Sequence, residues 1–331
     1  MKVAVIGAGS WGTAVAMLLA HNNHEVVLWT RRAELAEAIN ATRTNEAYLP
    51  GVVLSSNIVA TNESETALAS ADAIVLATPS KAMRSTCEQI KPHYQAQTPL
   101  VILTKGVENM SGMMLLDVVD EVLESKQSQA VLSGPNHAEE VARGMLSATV
   151  VASENPQVAV LFQELLASES FRVYTSTDVK GVQLCGAAKN IIAIAAGVLA
   201  GSGYGDNTAA MLMTRGLAEI GRLVEAVGGE SKTCMGLAGM GDLIVTCTSP
   251  LSRNRSFGVA MAGGETIASY EESTRMVVEG ALASKSVTLL ASQNGVELPI
   301  CEMVRKAVWE KMVKDEMISL LMMRPAKPEF Y

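Results

Sequence analysis

Short apolar runs alternate with longer helical periods through the first half of the chain. The runs stand at Val3–Ile6, Val26–Trp29, Ala73–Ala77, Leu100–Leu103, Ala130–Leu132, Thr149–Ala152 and Phe171–Tyr174. Most are rich in Val and Ile and are closed by Gly, Pro, Ser or Thr, the pattern of buried strands. Between them, Thr13–Ala20, Ala33–Asn40 and Met113–Leu123 carry apolar residues at helical spacing. This alternation predicts βαβ units and a doubly wound, mainly parallel sheet with helices on both faces.

The pattern changes near Thr175–Gly181. Beyond it the periods are helical: Val182–Ala200, Ala209–Val227, Val277–Gln293 and Cys301–Lys314. The expected division is an α/β domain over 1–178 and an all-helical domain over 179–331. No Pro- or Gly-rich linker separates them, which predicts tight packing with a cleft between. Around Gly239–Asp242 and Ser249–Arg255, Gly and Pro predict loops. The tail Arg324–Tyr331, with Pro325 and Pro328, is expected to lie extended at the surface. Met312, Met317 and the run Leu320–Met323 are expected in the core.

Composition narrows the classes. Of 331 residues 49% are apolar and 18% charged, enough to fill a core and too few charges for a disordered chain. The net charge of −8, with no basic stripe, argues against nucleic acid as a partner. An anionic substrate would need a local cationic pocket set against that field. Five scattered cysteines without a CxxC pair fit a reducing compartment. His21 and His24 flank a turn and lack a carboxylate at ligand spacing, so no metal site is expected. The first apolar run is too short for a signal-peptide core. Ile191–Ala200 is too short for a membrane span and reads as a buried helix. A cytoplasmic homodimer is the expected state.

Gly7-Ala8-Gly9-Ser10-Trp11-Gly12 is a GxGxxG placed between the first strand and the first helix. That context is what a dinucleotide fingerprint requires. Gly7 makes the tight turn, Gly9 admits the pyrophosphate, and Gly12 lets the helix pack close to the strand. The second strand ends in Arg31-Arg32, where an NAD site would usually carry Asp or Glu. Guanidinium suits a 2′-phosphate, so NADP is the expected cofactor and NAD the second candidate.

Lys189 stands in Gly186-Ala187-Ala188-Lys189-Asn190-Ile191-Ile192-Ala193-Ile194, a cation in an apolar helix. An unpaired buried ammonium costs several kcal/mol, so Lys189 needs a partner or a cavity. Desolvation would move its pKa toward neutrality, where an acid/base works best. The structural alternative is a snorkelling lysine. Lys105 follows a strand and falls at the carboxyl edge of the sheet, where ligands bind in open α/β folds. Asp242 and the Ser252-Arg253-Asn254-Arg255 run offer further polar groups. From spacing alone, Arg253 and Arg255 read as solvated.

These residues carry a resemblance. The chain resembles the bacterial NAD(P)-dependent glycerol-3-phosphate dehydrogenase family nearly from end to end. The likeness runs through Val5–Ala14, Thr104-Lys105-Gly106, Ser133-Gly134-Pro135, Gly181–Asn190, Gly241–Gly258 and Val277–Gly280. It implies reduction of dihydroxyacetone phosphate to sn-glycerol 3-phosphate, the backbone of phospholipids. It implies cofactor contacts at Ser10, Trp11, Arg31, Arg32, Lys105, Ala138, Arg253, Val277 and Glu279. It implies substrate contacts at Lys105, Gly134, Asn136, Lys189, Asp242, Ser252, Arg253 and Asn254, with Lys189 the catalytic acid/base. Asn136 departs from the Ser or Thr common in the family. Two alternatives stand beside this reading: a 3-hydroxyacid dehydrogenase or ketopantoate-type reductase of the same build, and a non-catalytic NAD(P)-binding redox sensor.

Overall fold

The structure is a computed structural model and describes residues 1–109, 111–274, 276–323 and 328–329. The strands are β1 (Lys2–Ile6), β2 (Glu25–Trp29), β3 (Thr44–Asn45), β4 (Leu49–Val53), β5 (Ile58–Thr61), β6 (Ala73–Leu76), β7 (Leu100–Ile102), β8 (Gln129–Ser133), β9 (Ser147–Ala152) and β10 (Phe171–Ser176). Helices of the first half are α1 (Ser10–His21), α2 (Ala33–Thr42), α3 (Ser64–Leu68), α4 (Met83–Ile90), α5 (Leu115–Leu123), α6 (Ala138–Ala142) and α7 (Pro156–Leu166). The second half is helical among the described residues: α8 (Val179–Gly201), α9 (Asp206–Ala226), α10 (Asp242–Thr248), α11 (Arg253–Ala262), α12 (Ile267–Thr274), α13 (Glu279–Gln293), α14 (Pro299–Trp309) and α15 (Lys314–Met322).

Eight strands form one sheet in the order β10-β9-β8-β7-β6-β1-β2-β5. From β5 to β8 every neighbour is parallel. β9 runs antiparallel to β8, and β10 is parallel to β9. The chain leaves β1 for β2 on one side and returns to β6 on the other, so a crevice opens at that switch point. The turns after β1, β6, β7 and β8 all lie at this carboxyl edge.

Covering both faces explains the continuous apolar strands. Val3, Val5, Val75 and Val101 face one way, onto Val15, Leu19 and Phe162. Ala4, Ile6, Ile74, Leu76 and Ile102 face the other, into a core shared with Val182, Leu184 and Ile191 of α8. One apolar core therefore runs from the sheet into the helical half.

α8 is the centre of that half. Asp178 caps it by accepting from the Gly181 N–H at 2.9 Å. Its 23 residues are long and apolar enough to cross a membrane, but 89% of that window is buried by protein. α11 approaches it at Gly197 and Gly258. A Cβ at Gly197 would sit 2.1 Å from the Arg255 carbonyl oxygen, and one at Gly258 2.1 Å from that of Ile194. Glycine at both places is what lets the two backbones touch.

Several expectations need correction. Gly239–Asp242 is no loop: Leu237–Gly241 forms a π-helical turn that runs straight into α10. Arg253–Arg255 is the first turn of α11, because Ser252 caps it by accepting from the Arg255 N–H at 3.2 Å. The expected helix Cys301–Lys314 stops at Trp309, and Lys311 adopts a left-handed φ of 59° before α15 begins. Of the methionines and leucines expected in the core, Met317 is buried and Met312 half-buried, whereas Leu320 and Met323 are 45% and 78% exposed, since α15 lays one face on α14; the side chains of 321 and 322 lie outside the described residues. Of the tail Arg324–Tyr331 only 328 and 329 lie within the described residues; both are exposed, and Glu329 accepts from Arg215 at 3.2 Å. Strand β5 carried too short an apolar run, with an exposed Val59, to register in the sequence.

Candidate active site

Lys189 is buried, and its Nζ has two partners. It ion-pairs with Asp242 Oδ1 and donates to Thr246 Oγ1 at 2.7 Å. The other oxygen of the same carboxylate, Oδ2, accepts from Lys105 Nζ at 2.6 Å. Lys105 Nζ also donates to the Gly134 carbonyl at 3.0 Å. Two ammonium groups, one from the sheet edge and one from α8, thus converge on one buried carboxylate at the start of α10. A snorkelling lysine would place Nζ in water; this one is only 6% exposed along its side chain.

The electrostatics follow. Burial, reinforced by the Lys105 charge and opposed by Asp242, brings the Lys189 pKa down to about 7. Burial alone would raise the Asp242 carboxyl, yet the two ammonium groups outweigh it and hold it below its ordinary value. Lys189 is therefore poised to exchange a proton near neutral pH.

A second polar chain lies alongside. Asn254 donates to Asn190 Oδ1 at 2.9 Å and accepts from the Gly280 N–H at 2.9 Å, tying α8, α11 and α13 together. Ser80 donates twice to Glu279, from its N–H at 3.2 Å and its hydroxyl at 2.5 Å. This contact spans the two halves of the chain. Burial raises the Glu279 carboxyl, while Ser80 and the nearby Arg253 charge oppose the rise. Val277 is half-buried at the entrance to α13, and Arg253 is exposed. Asn136 spends both amide hydrogens on the Pro135 and Ala148 carbonyls, at 3.0 and 3.1 Å, leaving Oδ1 as its free group.

The fingerprint has the geometry its glycines predict. Gly7 has a φ of +122°, and a Cβ there would lie 2.7 Å from the Ala77 carbonyl oxygen. A Cβ on Gly12 would lie 1.9 Å from the Gly7 carbonyl oxygen, whereas one on Gly9 meets open space. Gly9 caps α1 without a side chain, so the first-turn N–H groups face outward as an anion cradle. Ser10 Oγ donates to the Tyr48 carbonyl at 2.6 Å, and Arg32 reaches the Tyr48 hydroxyl at 3.3 Å. Arg31 is exposed beside it; Ala138 opens α6 and is buried. Thr78 Oγ1, Ser133 Oγ, Asn136 Oδ1 and His137 Nε2 are buried without partners at the ends of the strands and in the turns of this edge. An open glycine, a bare helix N-terminus and four orphaned polar atoms on one sheet edge fit a dinucleotide and a polar substrate.

Sequence reasoning missed Thr246, Tyr48, Ser80 and Asn190. Thr246 stands four residues after Asp242, one helical turn, and could have been found once Asp242 was placed on a helix. Tyr48 and Ser80 come from distant segments and carried no signal.

A sheet of this order with a glycine fingerprint at its switch point, closed by a buried lysine–carboxylate pair from a helical half, is the build of a nicotinamide-dependent dehydrogenase. The profile described as NAD-dependent glycerol-3-phosphate dehydrogenase N-terminus matches residues 2–159, and that of the C-terminus matches residues 178–319. The chain belongs to the NAD-dependent glycerol-3-phosphate dehydrogenase family. It is 47% identical over 328 residues to glycerol-3-phosphate dehydrogenase [NAD(P)+] 2 of Mycobacterium bovis, covering 99% of this chain and 98% of that one. It is 44% identical over 330 residues to the enzyme of Syntrophomonas wolfei, covering 99% and 96%. The crystal structure of glycerol-3-phosphate dehydrogenase from Coxiella burnetii superposes with a TM-score of 0.93 at 36% identity, covering 98% of this chain and 99% of that one. A ketopantoate reductase from Ralstonia eutropha superposes at 0.61 with 19% identity over 96% of this chain and all of that one, a likeness of fold alone.

Proposed function

We propose that Lys189, Lys105 and Asp242 carry the chemistry of this dehydrogenase, with residues 1–178 holding cofactor and 179–331 completing the substrate site. The reaction is the reversible, NAD(P)H-dependent reduction of dihydroxyacetone phosphate to sn-glycerol 3-phosphate. The observation that carries the assignment is the placement of two lysine ammonium groups on the two oxygens of one buried carboxylate.

Gly7, Gly9 and Gly12, with Ser10 and Trp11, would hold the pyrophosphate end of the cofactor, and Arg31 and Arg32 its 2′-phosphate. Ala138, Arg253, Val277, Glu279 and Lys105 would complete the cofactor contacts. When bound, the dihydronicotinamide supplies the hydride. The protein does the rest. As charge grows on the ketone oxygen, Lys105 and Lys189 stabilise it, and Lys189 delivers the proton. In the reverse direction neutral Lys189 removes that proton. Asp242 aims both lysines and keeps their mutual repulsion affordable. Gly134, Asn136, Ser252, Arg253 and Asn254 would orient the phosphate and hydroxyl groups. Ser252 Oγ already serves as a helix cap, so Arg253 is the group best placed to supply charge. The five buried, unbridged thiols support a reducing, cytoplasmic setting, and a homodimer is the assembly proposed.

Replacing Arg31 and Arg32 by Ala is expected to weaken NADPH far more than NADH, by roughly ten- to a hundredfold for a lost charge-assisted bond. Equal losses for the two cofactors would remove these arginines from 2′-phosphate recognition. Cofactor titrations by fluorescence decide it.

The function itself is tested by loss of NADPH absorbance with dihydroxyacetone phosphate against 2-oxoacids and ketopantoate. Only the phosphate ester is expected to turn over well. Arg253→Ala should raise KM for it by about tenfold or more, and Arg255→Ala should do less, because only Arg253 falls on the substrate position that the family resemblance implies. A preferred carboxylate substrate would instead favour the ketopantoate-type alternative. Damage from Arg255→Ala alone would reassign the anion-holding residue.

A further inference from the structure

Arg84 lies on α4, apart from the residues above, and pairs with two carboxylates at once. Its Nε and Nη2 donate to the two oxygens of Glu108 at 2.8 and 3.1 Å. Its Nη1 and Nη2 donate to the two oxygens of Glu121 at 3.0 and 3.2 Å. Both contacts are forked, the form in which guanidinium fixes orientation as well as distance. Arg84 is 32% exposed and Glu108 19%, so this pair is partly withdrawn from water; Glu121 is 53% exposed. The Arg84 fork holds the Glu108 carboxyl below its ordinary value.

Glu108 stands three residues after Lys105, in the segment between β7 and α5. Two attachments of that segment flank Lys105. At its start, Thr104 Oγ1 donates to the Thr78 carbonyl at 2.6 Å. At Glu108, the carboxylate accepts from Ser111 at 2.5 Å, and its N–H donates to the Met113 carbonyl at 2.9 Å. Lys105 is held between them. Its stem lies beside Gly186 of α8 and its Nζ also holds the Gly134 carbonyl, but where Nζ meets Asp242 still depends on where the backbone lies.

We propose that Arg84, acting through Glu108, is a positioning residue that sets Lys105 against Asp242. The proposal rests on the reading of Lys105 as a group of the active site. If Arg84 lets go, the Glu108 anchor loosens and Lys105 Nζ leaves the carboxylate. The like charge beside Lys189 is then gone, Asp242 is left to Lys189 alone, and Lys189 holds its proton to higher pH. A change at α4 would thus be read out in the titration of a residue on α8.

The test compares Arg84→Ala, Glu108→Ala and Glu121→Ala with Lys105→Met as reference, using kcat/KM for dihydroxyacetone phosphate, the pH at which reduction declines, and melting temperature. Arg84→Ala and Glu108→Ala are expected to lower kcat/KM by about tenfold and to shift the decline to higher pH. Glu121→Ala breaks the other fork of the same arginine and is expected to stay within about twofold of wild type. The Arg84→Ala/Glu108→Ala double variant should be no worse than the poorer single one, since both act by one route. Glu108→Gln keeps the size and one hydrogen bond, and should show a smaller shift in the same direction if Glu108→Ala fails to fold. An unmoved pH profile in folded Arg84 and Glu108 variants, or equal damage from Glu121→Ala, overturns the proposal while Lys105→Met still impairs turnover. A harmless Lys105→Met overturns the underlying reading and the proposal with it.

Discussion

Lys189→Met is expected to lower turnover of dihydroxyacetone phosphate by about 10²–10⁴, the range for a lost acid or base, in a protein that still folds and binds NADPH. Met keeps the length and apolar bulk of the side chain. Asp242 does not become an orphan, because Lys105 remains on its Oδ2 at 2.6 Å and the Thr246 hydroxyl lies 3.4 Å from its Oδ1. The residues proposed for the pyrophosphate lie around α1, in the first half of the chain. Turnover, NADPH affinity and melting temperature on this one variant separate chemistry from structure. Turnover within a few-fold of wild type would leave Lys189 a structural lysine.

Asp242→Asn is expected to be worse for the fold and comparably damaging to activity. It removes the anion that two buried or half-buried ammonium groups share. Breaking a buried pair from one side costs about 3–5 kcal/mol, so the melting temperature should drop by several degrees. Lys189 also loses the group that raises its pKa, so it gives up its proton at lower pH and is a poorer proton donor at neutrality. Reduction should therefore recover partly in mildly acidic buffer, whereas Lys189→Met should not. An Asp242→Asn enzyme with unchanged stability and unchanged turnover would show that the carboxylate is not what holds the two lysines.

The parts of this arrangement that could be read from the sequence are the local ones. Val3–Ile6 followed by Gly7-Ala8-Gly9 is a strand and a turn wherever it occurs, because the glycines serve backbone needs within a few residues of themselves. Lys189 was legible because its neighbours are apolar and its charge is not. Its partner was not legible from the residues alone. Asp242 lies 53 positions away, in a segment whose glycines suggested a loop. Gly239 serves close packing instead: a Cβ there would sit 2.1 Å from the Cys234 carbonyl oxygen. Arg253 is solvated, as its spacing suggests, but stands in the first turn of a helix capped by Ser252 rather than in a loop. Family resemblance supplied Asp242, Arg253 and Asn254 as candidates, and the fold brings the Asp242 carboxylate between the Lys105 and Lys189 ammonium groups. Ser80 with Glu279, and Arg84 with Glu108, join segments that no local spacing connects.

In the proposed mechanism Lys189 moves the proton. Single-turnover rates of ketone reduction and alcohol oxidation, followed through the dihydronicotinamide absorbance across neutral pH, test this. Reduction needs Lys189 charged, and oxidation needs it neutral. With the pKa brought down to about 7, reduction should decline as pH rises through that point and oxidation should climb through the same point. Both dependences should vanish in Lys189→Met. Rates that are level across neutral pH in the wild type, or that keep their pH dependence in Lys189→Met, would contradict the assignment.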